Sequence, residues 1–563
     1  VYGISAGFIS IPTLNVNNNL ITGLSATGPS TGIIGIRITD GNTVNVNSNS
    51  INTFTGSGTT NPSAAGISVL GATTVNVGYN KIHTINQTGI NTATAPVVLG
   101  ISLAGGLNVT AHNNFVADLN AVNTPYADAI RGISVSSTTP LSTYNLYHNS
   151  IHVNSASALA TSGTSGIYHT TNATATTAAL NMIDNIIVNT SASAGAGVTA
   201  AYRRSNATLT NFASTSNYNL LYAGTPSATN LIFYDGTNSD QTLAAYQARV
   251  AARDANSISS FPNFTSSTDL HLTPDNCSID SKGIPVAGFT NDIDADTRSI
   301  TIPDMGADEF DAYNAGVVAG IVSTAVCSNK AVVNTGTIYT DASCNLIARV
   351  LPSGVSPVTG IINTCVTMDA AQLYFNGEPY VQRHYDLEPA TNPATATATI
   401  TMYFTDAAFA LYNATNPVWP ALPTVAGGGL LDPNLTNLKV TQFHGTPTGG
   451  LPTSTPGNYT GTRVLLTPVS VVLTGSIWAV TVDVAGFSGF YVHTNNFNAP
   501  LLITVNYLTG RKQGSNHVLN WKVTCVSTPR ATMTLERSSD ARNYSGINTI
   551  TADAARCNQP FDY

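Results

Sequence analysis

The sequence predicts an all-β chain, a parallel β-helix followed by antiparallel β-sandwich domains. Three observations lead there. A repeat of 31–34 residues runs through the first 222 positions, two asparagine columns keep step with it, and longer alternating strands replace it after about residue 314.

The repeat opens on a Gly-hydrophobic-polar-hydrophobic step at Gly3, Gly35, Gly66, Gly100, Gly132, Gly166 and Gly197, with spacings of 32, 31, 34, 32, 34 and 31. Regular self-similarity at such a period marks a stacked repeat, in which each unit buries its apolar side only against its neighbours. Within each copy the apolar residues alternate with period two, the signature of short strands rather than helices. Ile4, Ile36, Ile67, Ile101, Ile133 and Ile167 form one apolar column, and Ile21, Ile51, Ile82, Val116, Ile151 and Ile187 form another. Three short strands per copy predict about seven rungs and a rod about 30 Å long. Loops such as Gly56–Ala65 and Ser155–Ser165 are expected to project from one flank.

A second phrase, apolar-Asn-apolar-x-x-Asn, follows each glycine. Its last residue gives the column Asn19, Asn49, Asn80, Asn114, Asn149 and Asn185, with a looser copy near Asn219. Asn tolerates the left-handed conformation at a bend, and stacked amides hydrogen-bond along a fibre axis, so these residues are expected to form a structural ladder. The other column, Asn15, Asn45, Asn76, Asn145 and Asn181, alternates with core residues and is expected to face outward.

The pattern changes at Leu231, and Gln241–Val250 reads as a helix lying across the last rung. The first rung has no comparable cover, which suggests an upstream module or end-to-end stacking through strand addition. The predicted domains are 1–222 for seven rungs, 223–313 for the last rungs and cap, 314–500 for a β-sandwich, and 501–563 for a partial second sandwich. Strands such as Ala396–Phe404 and Trp478–Val484, with turns rich in Pro, Gly and Thr, support the third.

Composition narrows the function classes. Only 9% of residues are charged, against roughly 25% in an ordinary domain, and the net charge is −8. With 21 basic residues dispersed along the chain, no basic stripe marks a nucleic-acid binder. No apolar run reaches the ~18 residues of a membrane span, and Val1 opens no signal peptide. The six cysteines all lie after residue 276 and lack paired zinc-site spacing. Among 15 connectivities we expect Cys525–Cys557 and one pair among Cys327, Cys344 and Cys365, with buried free thiols as the alternative.

Asp292-Ile-Asp-Ala-Asp-Thr-Arg298 followed by Pro303-Asp-Met-Gly-Ala-Asp-Glu-Phe310 resembles the closing motif of right-handed parallel β-helix proteins on Bacteroidetes cell surfaces. Gly486-Phe-Ser-Gly-Phe-Tyr-Val492 is similar to the end of a β-domain that often follows it. Leu519-Asn-Trp521 with Leu535-Glu-Arg-Ser-Ser-Asp-Ala-Arg-Asn-Tyr544 resembles the fibronectin-III-like module of the type IX secretion kind. The resemblance implies a right-handed coil and an exported adhesin or filament-like surface protein.

Parallel β-helices also carry polysaccharide lyases and glycoside hydrolases, which need a carboxylate pair or a base beside a cation. The seven rungs hold only Asp40, Asp118, Asp128 and Asp184, in different repeat positions, and Asp128–Arg131 reads as a solvated ion pair. The cationic candidates are Lys81, Arg37, Arg131 and the triplet Tyr202-Arg203-Arg204, the last as a glycan or carboxylate contact. His83 and His152 share a repeat position two rungs apart, too far for one metal, and His112 and His148 read as satisfied turn residues. Asp292, Asp294 and Asp296 begin like a calcium loop, but Thr297 and Pro303 break the EF-hand pattern, so structural calcium is the sole cofactor suggested. A hydroxyl column, Ser5, Ser68, Ser102, Ser134 and Thr199, is interrupted by Arg37 and Tyr168 and makes a poor ice-binding face. The expectation is a non-enzymatic extracellular surface protein whose partners are glycans or other copies of itself. A polysaccharide-degrading enzyme is the alternative.

Overall fold

The computed structural model describes residues 1–8, 11–157, 159–448, 455–494, 502–526, 530–553 and 561–562. The chain divides into two units, Val1–Tyr313 with Val333–Thr335, and Asn314–Val332 with Gly336–Tyr563.

The first unit is a parallel β-solenoid of about seven turns. Its first sheet stacks eight parallel strands from Tyr2–Ala6 to Asn230–Tyr234. A second runs from Thr13–Asn15 to Ala179–Ile183, and a third from Leu20–Thr22 to Leu220–Tyr222. Ile4, Ile36, Ile67, Ile101, Ile133, Ile167, Tyr202 and Phe233 stand in register as one interior column. All but Ile4 are fully buried, each worth roughly 1.5–3 kcal/mol of transfer free energy.

The glycine column has a steric cause. A Cβ on Gly100 would lie 2.6 Å from the Gly132 carbonyl oxygen and 2.2 Å from Val116 Cγ1, and the rungs above and below repeat this crowding. Gly197 does not belong to the column. Ser165 pairs with Ala200 and Ile167 with Tyr202, so the residue in register with Gly166 is Ala201. Extra residues in the preceding loop displace the seventh copy by four positions. For the same reason Thr199 leaves the hydroxyl column, where Arg203 takes its place opposite Tyr168.

The inner asparagines form a ladder. Each Nδ2 donates to the next Oδ1, from Asn19 through Asn49, Asn80, Asn114, Asn149 and Asn185 to Asn219, at 2.8 or 2.9 Å. From Asn49 onward each Nδ2 also donates to a carbonyl of the preceding rung, as Asn114 does to Val77 at 2.8 Å. These residues do not adopt the left-handed conformation themselves. Positive φ falls one position earlier, at Asn18, Ser48, Tyr79, Asn113, His148, Asp184 and Tyr218, with values from 49° to 59°. That residue makes the sharp turn, and the turn aims the following amide inward beneath it. Left-handed non-glycine backbone is disfavoured by roughly 1–2 kcal/mol, and the hydrogen bonds of the following amide offset it. The outer asparagines bond more sparsely, Asn76 to Asn45 and Asn45 to Asn15 at 2.8 Å.

Helix Leu243–Val250 packs Tyr246 and Val250 into the solenoid core beside Phe233, and Thr242 caps it by accepting from the Ala245 N–H. The segment after residue 258 does something the repeat does not announce: it runs along the outside of the third sheet. Phe115 and Ala117 there pack on Leu270, Ile293 and Ala307, while Ile186, Val188 and Leu220 pack on Leu272, Ile279 and Met305. The third sheet is therefore buried on both faces over these rungs. The Asp292–Phe310 motif belongs to this flank cover, where Arg298 donates to Asn113 Oδ1 at 2.9 Å and Gly306 N–H to the Asp184 carbonyl at 2.7 Å.

The second unit begins with a sandwich of one six-stranded and one five-stranded antiparallel sheet, whose facing residues share one core. Tyr385, Leu387 and Phe490 come from one sheet, and Val350, Ile400 and Val480 from the other. Cys327 and Cys365 form a disulfide across neighbouring strands. Beyond it, the hairpin Leu502–Gln513 with Asn516–Val526 and the pair Arg530–Arg537 with Ser545–Asp553 enclose a small core around Trp521. The Cys525–Cys557 pairing falls outside the described side chains. No helix among the described residues is long and apolar enough to cross a membrane.

Candidate functional site

The triplet Tyr202-Arg203-Arg204 is not a surface contact. Strand alternation turns Tyr202 and Arg204 into the solenoid, where Arg204 is 2% exposed and donates to Tyr202 Oη at 2.8 Å and to Asn211 Oδ1 at 2.9 Å. The His169 ring lies 2.6 Å from the same guanidinium. Burial and the charge of Arg204 hold His169 well below its ordinary pKa, so it meets the guanidinium as a neutral acceptor.

Arg203 points outward but is only 7% exposed. Its Nε stands 3.2 Å from Asp128 Oδ1, and its guanidinium lies over Tyr234. Asp128 also accepts from Arg131 Nε at 2.6 Å and from Ser165 Oγ, and Arg131 lies over the Tyr168 ring. Asp128–Arg131 is thus buried rather than solvated, held by a second arginine and two aromatic faces. Four adjacent rungs supply this network, which is why repeat position alone does not reveal it.

The remaining ionisable cluster lies where the flank cover meets the third sheet. Strand Lys81–Gln87 turns Lys81 outward, and the cover brings His271 and Asp294 to it. Lys81 Nζ donates to Asp294 Oδ1 at 3.0 Å, while His271 bridges Asp269 through Nδ1 and Asp294 through Nε2. Phe115 meets the His271 ring edge-on. Burial opposes the charged form of His271, but hydrogen bonds and charge from Asp294, Asp308 and Asp269 outweigh it and raise its pKa. Burial likewise works against ionised Asp294, yet Lys81 and His271 hold its pKa below the ordinary value. Asp308, buried and accepting the Leu272 N–H, is pushed up to about 6 by desolvation.

His271, Asp294 and Asp308 offer ligand atoms within 4.8 Å of one another, a donor set of one imidazole and two carboxylates. A divalent cation there competes with the Lys81 ammonium and with the proton on His271. This set differs from the three aspartates of the calcium-like loop. Asp292 closes its own turn, accepting from the N–H groups of Asp294, Asp296 and Glu309 at 3.0, 2.8 and 3.0 Å. Only Asp294 of the three joins the cluster.

Neither a protein-family model, nor a curated protein, nor a solved structure matches the chain. The residues themselves carry the functional reading. His271 and Asp308 escape sequence reasoning because nothing in the repeat points to them. The available signal is the apolar outward positions Phe115, Ala117, Ile186 and Val188, which require a cover and so require some later segment to lie there. His83 and His152 do share a column, separated by Ala117. His112 and His148 sit beneath the cover, and desolvation lowers the His112 pKa to about 4.

Proposed function

We propose that the chain is an extracellular, non-catalytic surface protein, whose solenoid is a rigid display element in adhesion or in a fibre. One observation carries this reading: an uninterrupted side-chain ladder from Asn19 to Asn219 locks all the rungs together. The polar groups that a hydrolase or lyase needs accessible are engaged within the fold, Arg203 and Arg131 on Asp128 and Arg204 on Asn211. The Cys327–Cys365 disulfide fits an oxidising compartment, and the low charge fits contact with neutral glycans. The sequence resemblances to Bacteroidetes surface proteins and to a type IX secretion module point the same way.

The test is incubation with neutral and acidic polysaccharides, followed by size-exclusion chromatography. Unchanged polymer length with co-elution supports adhesion, and shortened polymer overturns the non-catalytic reading. Electron microscopy of concentrated protein tests the fibre branch, which dispersed monomers would exclude. The enzymatic alternative draws its support from the Lys81–His271–Asp294 cluster. If it holds, His271→Gln abolishes polymer shortening.

A further inference from the structure

The sandwich carries a cleft that neither the repeat nor the ladder explains. In the six-stranded sheet, strand Arg383–Pro389 neighbours Ser488–His493, which neighbours Lys439–His444. The ends of these three strands bring Glu388, Ser488 and His444 to one place, with His444 paired directly opposite Ser488. They open onto a cavity of about 420 Å³, within the range of small-ligand pockets. Pro393 and Ala394 form an apolar side backed by the buried Phe487, and Thr446 and Thr462 add hydroxyls.

The polar groups have capacity to bind. Glu388 Oε1 accepts from Ser488 Oγ at 2.8 Å, and among the described residues this is the hydrogen bond its carboxyl makes. The His444 ring makes none there, and burial lowers its pKa, so at neutral pH it presents one donor and one acceptor. Gly486 leaves room for the ring. Its φ of +83° favours glycine, and a Cβ there would meet the His444 ring at 2.8 Å. The phrase Gly486-Phe-Ser thus shapes the cleft: Gly486 leaves room for His444, Phe487 anchors the strand start in the core and Ser488 donates to Glu388.

We propose that this cleft binds one uncharged pyranose unit of a glycan, resting its C–H face on the apolar side and giving its hydroxyls to Glu388, His444 and the threonines. The lining holds no lysine or arginine and His444 is neutral, so an anionic sugar finds no countercharge. This deepens the glycan-contact reading above and rests on it.

The test is ligand-observed NMR on the full chain with methyl hexopyranosides, hexosamine and hexuronate, alongside the polysaccharide co-elution experiment. The neutral glycosides should bind, with affinity lowered tenfold or more in Glu388→Gln and in His444→Leu. Glu388→Gln preserves shape and an acceptor for Ser488, so folding is retained, and an unchanged melting temperature verifies it. No binding of any neutral glycoside overturns the proposal, as does tighter binding of hexuronate or hexosamine. Polymer co-elution that survives unchanged in Glu388→Gln overturns the cleft while leaving adhesion intact. Absence of co-elution in the wild type counts against adhesion itself.

Discussion

The solenoid and the sandwich handle polar side chains in opposite ways. In the solenoid, an amide at a turn finds its partner one rung away, about 30–36 residues along the chain, and the answer repeats from Asn19 to Asn219. In the sandwich, the polar groups at the strand ends Glu388 and His444 have no translational copy to satisfy them, and they face a cavity instead. Repetition closes polar groups upon one another, whereas its absence leaves some of them open to a ligand. Binding chemistry is therefore best sought outside the repeat, or where a non-repeating segment crosses it.

Asn114→Ala removes an acceptor from Asn80 and a donor from Asn149 and from the Val77 carbonyl, all buried. The expected loss is about 4 kcal/mol in urea unfolding of the solenoid, and a loss below ~1 kcal/mol would mean the ladder is incidental. Gly100→Ala forces a methyl against the Gly132 carbonyl and should cost about 3 kcal/mol, while Gly457→Ala in the sandwich unit, with open space around it, should be silent. Asp292→Asn weakens three backbone contacts and should cost about 2 kcal/mol. Added calcium should leave the wild-type midpoint unchanged, because that carboxylate is already engaged.

Acidity gives a subtler comparison. Burial raises Asp184 to about 8 and Asp308 to about 6, so the stability each contributes is complete below the ordinary carboxylate pKa and is lost as pH climbs through those values. Burial lowers His112 and His152 to about 4, so their contribution is present above 6.5 and lost as pH falls toward 4. Between about pH 4 and 6 the two pairs offset each other, so the melting temperature of the solenoid should be nearly level there, peak near pH 6.5 and fall toward pH 8. Asp184→Asn should flatten its alkaline limb, and an unchanged limb would show that Asp184 is ionised in the fold. Smallest of all, Asn76→Ala in the outer column should cost under ~0.5 kcal/mol, against the large loss at Asn114.

What could be read in advance follows the same division. The Ile36–Ile167 column and the ladder positions were legible because each copy of the repeat checks the others. The seventh rung was misplaced where that check fails: Gly197 imitates the phrase, and the true position holds Ala201, whose methyl breaks the glycine pattern. The left-handed turn was assigned one residue late because Asn is the residue type associated with it, yet Tyr79, His148 and Asp184 take that conformation under the constraint of stacking. The burial of Asp128 depends on Arg203, a residue 75 positions away that the misplaced rung hid. Glu388 and Ser488 lie 100 residues apart with no periodicity joining them, so their meeting could only be seen in the fold.

The amide ladder also has a direction. Within it one N–H of each amide points toward the helix-covered end and meets the next Oδ1, so these amide-to-amide bonds share one direction as those of an α-helix do, and the last donor of the row is Asn219. There the Asn219 Nδ2 meets Asp254 Oδ1 at 2.8 Å, a buried carboxyl that also accepts from Ser257 Oγ and Tyr246 Oη. Both oxygens of that carboxyl accept, and burial raises its pKa. Where an eighth asparagine would extend the row, an aspartate ends it as a full stop ends a sentence.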